Sequence, residues 1–255
     1  MSNNYAIIIQ ARTGSTRLPG KVLRKIHGTT VLEHVVRRTQ VVNKVDMIIV
    51  ATTVEKADLP IVKWCASNNV RVYCGSLLDV LDRYYQSARL FNARNIVRIT
   101  SDCPFIDPKL IDQIVEFHRQ QKTDYAANIL ETTFPDGEDI EICTFSALEK
   151  TWQEAKLGSE REHVTPYIRK HPELFTQASF TNRIDYSHMR WTLDEPQDLK
   201  FITSIYKELY CENPLFGMDA IIDLLQKKPQ LSNSNSSITR NAGYIKSLQR
   251  DKKHD

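Results

Sequence analysis

The 255-residue sequence lacks the features that would place it in several common classes of protein. Its five cysteines are odd in number and form no Cys-x-x-Cys pair, so we expect free thiols in a reducing cytoplasm. No apolar run approaches the ~18–20 residues of a membrane span, and no basic and then apolar leader precedes Ile7. A net charge of +3 is too small to indicate nucleic-acid binding. The sequence therefore predicts a cytoplasmic protein that binds neither membranes nor nucleic acids.

Two common nucleotide-binding motifs are also missing. A Walker loop has four residues between its glycines and a serine or threonine after its lysine. Here five residues separate Gly14 from Gly20, and Val22 follows Lys21. No Gly-x-Gly-x-x-Gly run occurs either, which disfavours a classical dinucleotide-binding fold. Any nucleotide site in this chain must therefore use a different loop.

Short β-branched runs alternate with segments of helical periodicity in the first half of the chain. Strands are predicted at 5–9, 47–52, 70–73 and 96–100, and helices at 31–41, 59–67, 80–90 and 109–119. This alternation predicts right-handed βαβ units and an α/β fold with a mostly parallel, buried sheet.

The pattern weakens after residue 123. A turn is predicted at Asp136-Gly137, followed by a strand. Further helices are predicted at 146–155, 160–169 and 196–210, and short strands at 178–180 and 190–192. Residues 229–255 are rich in Ser, Asn and Lys, so we expect a loosely docked, partly mobile tail. Without an internal repeat or a linker, we divide the chain into one domain, 1–228, and the polar tail, 229–255.

A basic loop follows the first predicted strand, in the stretch IIIQARTGSTRLPGK at 7–21. Five of the 34 cationic residues fall between Arg12 and Lys25. Ligands of open parallel sheets bind beyond the carboxyl ends of the strands, and Gly14 and Gly20 would let backbone N–H groups approach an anion. Several cations suit a polyphosphate better than one carboxylate. The alternative is a solvated surface loop, and composition alone does not decide between the two.

Two aspartates follow predicted strands in distant parts of the chain, Asp102 in RITSDCPFIDP and Asp194 in RWTLDEPQDL. Carboxylates at strand ends can hold Mg²⁺ or Mn²⁺ against phosphate oxygens. Helix capping is the alternative, and for Asp194 the local sequence alone favours it. Asp107, which precedes Pro108, is assigned to a helix cap.

These three segments together resemble the cytidylyltransferases that make CMP-activated acidic sugars. That family includes CMP-Kdo synthetase, acylneuraminate cytidylyltransferase and the SpsF-like spore-coat polysaccharide proteins. The resemblance covers about 6–209, and FPDGEDIEI and SEREHVTPYI are most similar to the SpsF-like branch. It implies a GT-A-like, Rossmann-like nucleotidyltransferase fold with a mostly parallel central sheet and a small projecting lobe.

The resemblance also implies a reaction and roles for individual residues. CTP and an acidic sugar would give a CMP-sugar and pyrophosphate. Arg12, Arg17 and Lys21 would be the catalytic cations, and Asp102 and Asp194 would hold Mg²⁺ or Mn²⁺, with Asp198 structural. The implied nucleotide-binding residues are Gln10, Ala11, Arg12, Gly14, Ser15, Arg17, Lys21, Thr100 and Asp102. Thr100-Ser101 stands where Kdo enzymes carry Gln-Gly, so the contacts to the base need not be the same.

In this family the segment between the two aspartates builds the acceptor pocket. The resemblance therefore makes the following residues candidates for sugar contacts: Asp136, Glu141, Arg161, Glu162 and His163. A polar helix face is the alternative for the last three. On the helix at 80–90, Asp79 is predicted to be the N-cap, and Arg83 to face solvent in preference to the nucleotide. The family often forms homodimers through its projecting lobe, although no distinct apolar stripe marks such a contact here.

Two other functions stay open. A metal-dependent GT-A glycosyltransferase would consume a nucleotide-sugar and release a nucleoside diphosphate, but a loop suited to a triphosphate argues against it. A non-catalytic binding protein on a degenerate nucleotidyltransferase fold is the alternative from another class. The presence of all three cations of the loop and of both aspartates at strand ends argues against a loss of catalytic function.

Overall fold

A seven-stranded sheet organises the chain in the computed structural model, which describes residues 4–235, 238 and 240–252. Its strands are β1 (Tyr5–Gln10), β4 (Met47–Thr53), β5 (Arg71–Gly75), β6 (Asn95–Thr100), β7 (Tyr125–Ala127), β8 (Glu141–Thr144) and β9 (Gln177–Ser179). Their order is β5-β4-β1-β6-β8-β7-β9, and β8 runs antiparallel to both of its neighbours. The first four strands are mutually parallel, as predicted. A small separate hairpin joins β2 (Lys25–Ile26) to β3 (Thr29–Thr30).

The described helices are α1 (Val31–Gln40), α2 (Leu59–Ser67), α3 (Val80–Leu90), α4 (Pro108–Gln121), α5 (Phe145–Glu154), α6 (Gly158–His163), α7 (Pro166–Lys170), α8 (Pro196–Leu209), α9 (Met218–Lys227) and α10 (Ala242–Asp251). Three short 3₁₀ helices lie at Lys21–Leu23, Lys56–Asp58 and Pro229–Ser234. None of the helices in the described part of the chain has the length and apolarity needed to cross a membrane.

Strand β1, in the interior of the sheet, is buried on both faces because helices cover both sides of the sheet. Residues of α1, α2 and α4 pack on one face, and residues of α3, α5 and α7 on the other. A third apolar cluster joins α8 and α9 to Phe105 and Trp191. The continuous Ile7–Ile9 run of β1 is fully buried, as expected for a strand of a parallel sheet. The predicted α/β fold class is confirmed.

Two predicted elements are wrong in the second half of the chain. Residues 160–169 do not form one helix, because Val164 has φ +73° and Pro166 starts a new helix, so α6 and α7 are separate. Residues 190–192 do not form a strand of the described sheet. Arg190 makes only an isolated bridge to Asp136.

The segment after Lys228 differs from the loosely docked tail that its composition predicts. The 3₁₀ helix Pro229–Ser234 packs on α8 and α9, and the buried Asn235 donates hydrogen bonds to the Arg190 carbonyl and the Asp198 carboxylate, both at 3.0 Å. Helix α10 packs on α6. Polar hydrogen bonds, which a hydrophobicity pattern does not reveal, hold this segment. Residues 236, 237, 239 and 253–255 lie outside the described part of the chain.

His34 of α1 is a buried, uncharged histidine that makes stability depend on pH. It is 3% exposed, its Nε2–H donates to the Ile26 carbonyl at 2.8 Å, and Tyr206 and Tyr210 pack against its ring. Burial lowers the pKa of His34 to about 4 from its usual 6.5. The unfolded chain therefore gains a proton at His34 as the pH falls below 6.5, while the folded chain resists it until about pH 4.

We expect His34 to remove about 2 kcal/mol from the free energy of unfolding between pH 7.5 and pH 5. The variant His34→Gln keeps a donor for the Ile26 carbonyl but cannot be protonated, so its stability should fall less over this range. Denaturant unfolding at several pH values measures the difference. His188→Gln, at an exposed position, should leave the pH slope of the native protein unchanged. Equal slopes for His34→Gln and the native chain would contradict the prediction.

Candidate active site

The loop that follows β1 is anchored at several points. The backbone N–H of Ala11 donates to Ala51 in β4 at 3.0 Å, and that of Gly20 donates to Thr13 at 3.1 Å. The backbone N–H and hydroxyl of Thr13 both donate to the buried Asp58 carboxylate at 2.7 Å. Gly20 has φ +66°, a left-handed conformation that favours glycine, and it leads into the 3₁₀ helix that begins at Lys21. The loop is therefore fixed at the carboxyl end of β1.

Lys21 bridges the two aspartates at strand ends. Its Nζ lies 2.5 Å from Asp102 Oδ2 and 2.8 Å from Asp194 Oδ1. The Lys21 side chain is 13% exposed and each carboxylate 24%. Although burial alone would lower it, the two carboxylates raise the pKa of Lys21. Burial would likewise raise the pKa of Asp102, but Lys21 lowers it to about 2. At neutral pH one ammonium thus lies between two carboxylates.

Asp194 is not the N-cap of helix α8: the N-cap residue is Glu195, and Asp198, at the third helical position, reaches back to it. Asp198 Oδ2 accepts the backbone N–H groups of Asp194 and Glu195 at 2.9 and 2.8 Å. Arg190 donates to both oxygens of Asp198 at 3.0 Å. The Asp194 side chain takes no part in this cap and faces Lys21 and Arg17. The helix-capping alternative for Asp194 is therefore wrong, and the prediction of a structural Asp198 agrees with this geometry.

The other two cations of the loop differ from each other. Arg17 contacts Asp194 at 3.1 Å and Glu195 at 2.9 Å. Arg12 is exposed and forms no ion pair with any residue that the structure describes. Ser15 Oγ accepts the backbone N–H of Leu18 at 3.3 Å, which tightens the turn. Arg12 is therefore the cation of this loop that is free to receive an anion without first leaving a partner.

Three further predicted nucleotide-binding residues line the ends of β1 and β6. Gln10 Oε1 accepts a hydrogen bond from Arg98 at 3.2 Å, Ala11 is buried, and the Thr100 hydroxyl lies 3.1 Å from Cys103 Sγ. Gly14 is exposed, and a Cβ built on it would meet no atom within 4 Å. The predicted nucleotide site therefore surrounds one edge of the sheet. The roles of its members stay predictions.

Arg83 of α3 is buried, so the prediction that it faces solvent is wrong. Its side chain is 2% exposed, and Nε and Nη1 have no hydrogen-bond partner in the part of the chain that the structure describes. A Cβ on Gly75, at the end of β5, would lie 2.9 Å from Arg83 Cγ. Burial lowers the pKa of Arg83, and the nearby charge of Arg12 adds to this. Two buried donors without partners, close to Arg12, favour a ligand contact.

Asp136 is linked through Arg190 to Asp194, and thereby to the ion-pair group of Lys21, Asp102 and Asp194. Its carboxylate accepts from Arg190 Nη1 at 2.8 Å, and Arg190 Nη2 lies 3.4 Å from Asp194. The backbone of this loop is close to that of 189–192, since Trp191 N–H donates to the Asp136 carbonyl at 2.6 Å. Gly137 allows this approach, because it has φ +114° and a Cβ there would lie 2.7 Å from the Thr192 nitrogen. Of the five residues predicted to contact the acceptor, Asp136 is thus the one linked to Lys21, Asp102 and Asp194.

The other four predicted acceptor residues have structural partners. Glu141 is buried and binds Arg98, and it accepts hydrogen bonds from Tyr125 and Thr165. Arg161 donates to Asp79 at 2.7 Å, and Asp79 also caps α3, as predicted. Glu162 and His163 both contact Ser247 of α10, at 2.7 and 3.1 Å. None of these contacts joins Lys21 within the described residues.

Sequence reasoning missed three polar residues of this region: Asp58, Arg190 and Arg240. Arg190 had a readable signal, because an arginine between Met189 and Trp191 in an apolar run must find a buried partner. Asp58 had no such signal in the sequence, because it contacts the loop at Thr13, 45 positions away along the chain. Arg240 lies in the segment that composition assigns to a mobile tail.

The carboxylates of Asp102 and Asp194 form a donor set of the kind that a hard divalent cation accepts, because both already converge on one positive charge. No cluster of three or more His, Cys, Asp or Glu ligands exists among the residues that the structure describes. Mg²⁺ commonly binds one or two protein carboxylates and completes its coordination with phosphate oxygens and water. The residues present therefore fit a cation that a phosphate ligand helps to hold.

A family model described as cytidylyltransferase matches residues 6–235, and the chain belongs to this family. The spore coat polysaccharide biosynthesis protein SpsF of Bacillus subtilis is 34% identical over 89% of this chain and 96% of its own length. An uncharacterised protein of Methanocaldococcus jannaschii is 42% identical over 91% of this chain and 94% of its own length.

Solved structures agree with this assignment. A cytidylyltransferase from Leptospira borgpetersenii has a TM-score of 0.86 at 34% identity, covering 92% of this chain and 99% of its own. The structure of CMP:2-keto-3-deoxy-manno-octonic acid synthetase complexed with CTP has a TM-score of 0.63 at 17% identity, covering 80% of this chain and 99% of its own. The second likeness shows a shared fold.

Proposed function

We propose that this chain transfers the cytidylyl group of CTP to a hydroxyl of an acidic sugar, with release of pyrophosphate. The observation that supports this most is the anchored basic loop whose Lys21 meets Asp102 and Asp194 at one sheet edge. The match to the cytidylyltransferase model over residues 6–235 supports the nucleotide. The acidic acceptor is inferred from relatives of the Kdo-activating type, one of which aligns over 90% of this chain.

The proposed reaction is an in-line displacement at the α-phosphorus of CTP. The acceptor hydroxyl loses its proton, its oxygen bonds to the α-phosphorus, and the bond to the β-phosphate oxygen breaks, with the electron pair leaving on pyrophosphate. Negative charge develops on the departing oxygen, so donors fixed in advance lower the barrier. Arg12, Arg17 and Lys21 are the donors that this loop presents.

Asp102 and Asp194 would hold a divalent cation beside the triphosphate. When bound, that cation would supply positive charge to the phosphate oxygens. Without ligand, Lys21 supplies the positive charge between the same two carboxylates. Lys21 can turn to a phosphate only if another positive charge compensates Asp102 and Asp194. This exchange gives Lys21 a role in ordering the free site as well as in binding the triphosphate.

Arg83 is proposed to contact the nucleotide. Its unpaired Nε and Nη1 together carry three N–H groups in a buried setting, and a buried donor without a partner costs about 1–3 kcal/mol. A carbonyl, ring nitrogen or phosphate oxygen of CTP would satisfy these donors. We expect Arg83→Lys to raise KM for CTP by about 10-fold or more while changing the melting temperature little. Steady-state kinetics and thermal unfolding measure both quantities.

Arg161→Lys is the matched control for Arg83, because Arg161 bonds Asp79 and two carbonyls and lacks this deficit. It should lower stability and leave KM for CTP nearly unchanged. The opposite pattern, with Arg83→Lys unfolding at a lower temperature and KM unaltered, would show that Arg83 has a packing role only.

Pyrophosphate release with Mg²⁺ tests the proposed function. The four NTPs are each combined with a panel of acidic sugars that includes Kdo, sialic acid and legionaminic acid. Release with CTP and one acid is the expected result. If no pair of NTP and acid releases pyrophosphate, and a nucleotide-sugar releases a nucleoside diphosphate, the glycosyltransferase would be favoured instead. Ligand binding without any turnover would favour the non-catalytic alternative.

A further inference from the structure

Arg240 returns from the C-terminal segment to the acceptor side of the site. Its Nη1 donates to the Phe134 carbonyl at 3.1 Å, and its Nη2 to Asp139 Oδ1 at 2.6 Å. Its Nε lies 4.0 Å from Asp136 Oδ1. That Nε is buried and has no hydrogen-bond partner in the described residues, although the side chain as a whole is 19% exposed. Arg240 thus has one N–H donor without a partner among the described residues, and this donor lies beside the loop that carries Asp136.

The segment around Arg240 is held on both sides. On one side, the buried Asn235 bonds the Arg190 carbonyl and Asp198. On the other side, α10 packs on α6, where the Ser247 hydroxyl donates to Glu162 at 2.7 Å and Asp251 accepts the backbone N–H of Ser159 at 3.2 Å. The position of Arg240 therefore depends on the contacts of Asn235 and on the packing of α10 against α6, both of which lie outside the site.

The charges of this region make Arg240 distinctive. Asp136 interacts electrostatically with both Asp194 and Asp102. Arg190 is already engaged by Asp136 and Asp198, and Arg98 by Glu141. An anionic acceptor that approaches these carboxylates needs a cation that still has a hydrogen-bond donor free to pair with it. Burial raises the pKa of Asp139 to about 7, although the charge of Arg240 opposes this shift.

We propose that Arg240 binds the carboxylate of the acidic sugar and makes the C-terminal segment a determinant of acceptor specificity. This inference rests on the proposed function. Arg240 and α10 lie beyond residue 235, where the match to the cytidylyltransferase family ends, so the family assignment does not supply this role. The acceptor carboxylate would take the free Nε–H and share the guanidinium with Asp139. The buried Asp136 would remain paired with Arg190.

The test separates acceptor binding from nucleotide binding. The native protein is assayed with its acidic sugar and with the methyl ester of the same sugar, which lacks the negative charge. Arg240→Gln should raise KM for the acid about 10-fold or more, because a charge-assisted hydrogen bond is lost. KM for CTP and KM for the ester should stay within about 2-fold of native values, within the ordinary variation of such measurements.

Two further variants keep the test decisive. Arg240→Lys keeps the positive charge, so it should fold if Arg240→Gln does not, and it should show an intermediate KM for the acid. Lys246→Gln, at an exposed position of α10, is the matched control and should behave as native. Equal rises in KM for acid and ester, or no rise for the acid, would overturn the role of Arg240 alone. No pyrophosphate release by the native protein with any acid would instead overturn the proposed function.

Discussion

Asp102→Asn is expected to lower kcat/KM for CTP by about 10³-fold. The carboxylate of Asp102 lies 2.5 Å from Lys21 Nζ, and Lys21 lowers the pKa of Asp102 to about 2, so the group is charged at neutral pH. The amide keeps the shape of the side chain but removes the charge that orders Lys21 and that would hold a divalent cation. Pyrophosphate release at saturating acceptor measures the loss.

Asp107→Asn is the matched control for this prediction. Asp107 lies five positions further along the chain and caps α4, accepting the backbone N–H of Lys109 at 2.8 Å. Asparagine caps helices about as well as aspartate, so Asp107→Asn should keep nearly native activity, although it loses the acceptor for the Met218 N–H and with it some stability. Asp102→Asn should also unfold at nearly the native temperature, since the amide retains the same volume. Activity of Asp102→Asn within about 10-fold of native would contradict its assigned role.

Lys21→Met is expected to have the second largest effect, a fall in kcat/KM of about 10²–10³-fold. Lys21 is the cation that joins the loop to Asp102 and Asp194, and in the proposed reaction it is also a phosphate ligand. Its loss removes the ion-pair partner of Asp102 and leaves Asp194 with Arg17 and Arg190, which is unfavourable for Asp102 above all. We therefore expect the variant to be about 1–3 kcal/mol less stable than native protein in the absence of divalent cations.

Added Mg²⁺ should recover part of the stability of Lys21→Met. A divalent cation between Asp102 and Asp194 replaces the lost ammonium, and binding to the folded state alone raises the melting temperature. The native protein should gain less, because Lys21 competes for the same place. Thermal unfolding with and without Mg²⁺ measures this without any catalysis. Lys25→Met, at an exposed position, is the control. No Mg²⁺-dependent shift in Lys21→Met would contradict the assignment of the two aspartates.

The parts of the site that could be predicted are those with a local sequence signal. The loop 7–21 and Asp102 both follow strands whose β-branched residues reveal them, and parallel strands bring their carboxyl ends to one edge. The local sequence favours Asp194 as the helix cap, but the N-cap residue is Glu195. Asp198, inside the helix, accepts the Glu195 backbone N–H and also pairs with Arg190 and Asn235, which lie outside this local sequence window.

The parts that could not be predicted depend on contacts between distant segments. Arg83 shares its helix with polar residues, and only the folded structure, in which it lies against Gly75, shows that it is buried. Arg240 lies in a segment with few apolar residues, and polar contacts made by Asn235 and α10 hold it in place. Glu162 and His163 were assigned to the acceptor by resemblance, whereas their partner is Ser247. Composition records none of these pairings.

The most direct measurement of the central claim follows the α-phosphorus of CTP. CTP labelled at the α-phosphate and CTP labelled at the γ-phosphate are each incubated with Mg²⁺, the acidic sugar and the native protein. The account predicts that the α-label moves into a CMP-sugar and the γ-label leaves in pyrophosphate, in equal amounts. Loss of the γ-label as inorganic phosphate, or an α-label that remains in free nucleotide, would contradict cytidylyl transfer.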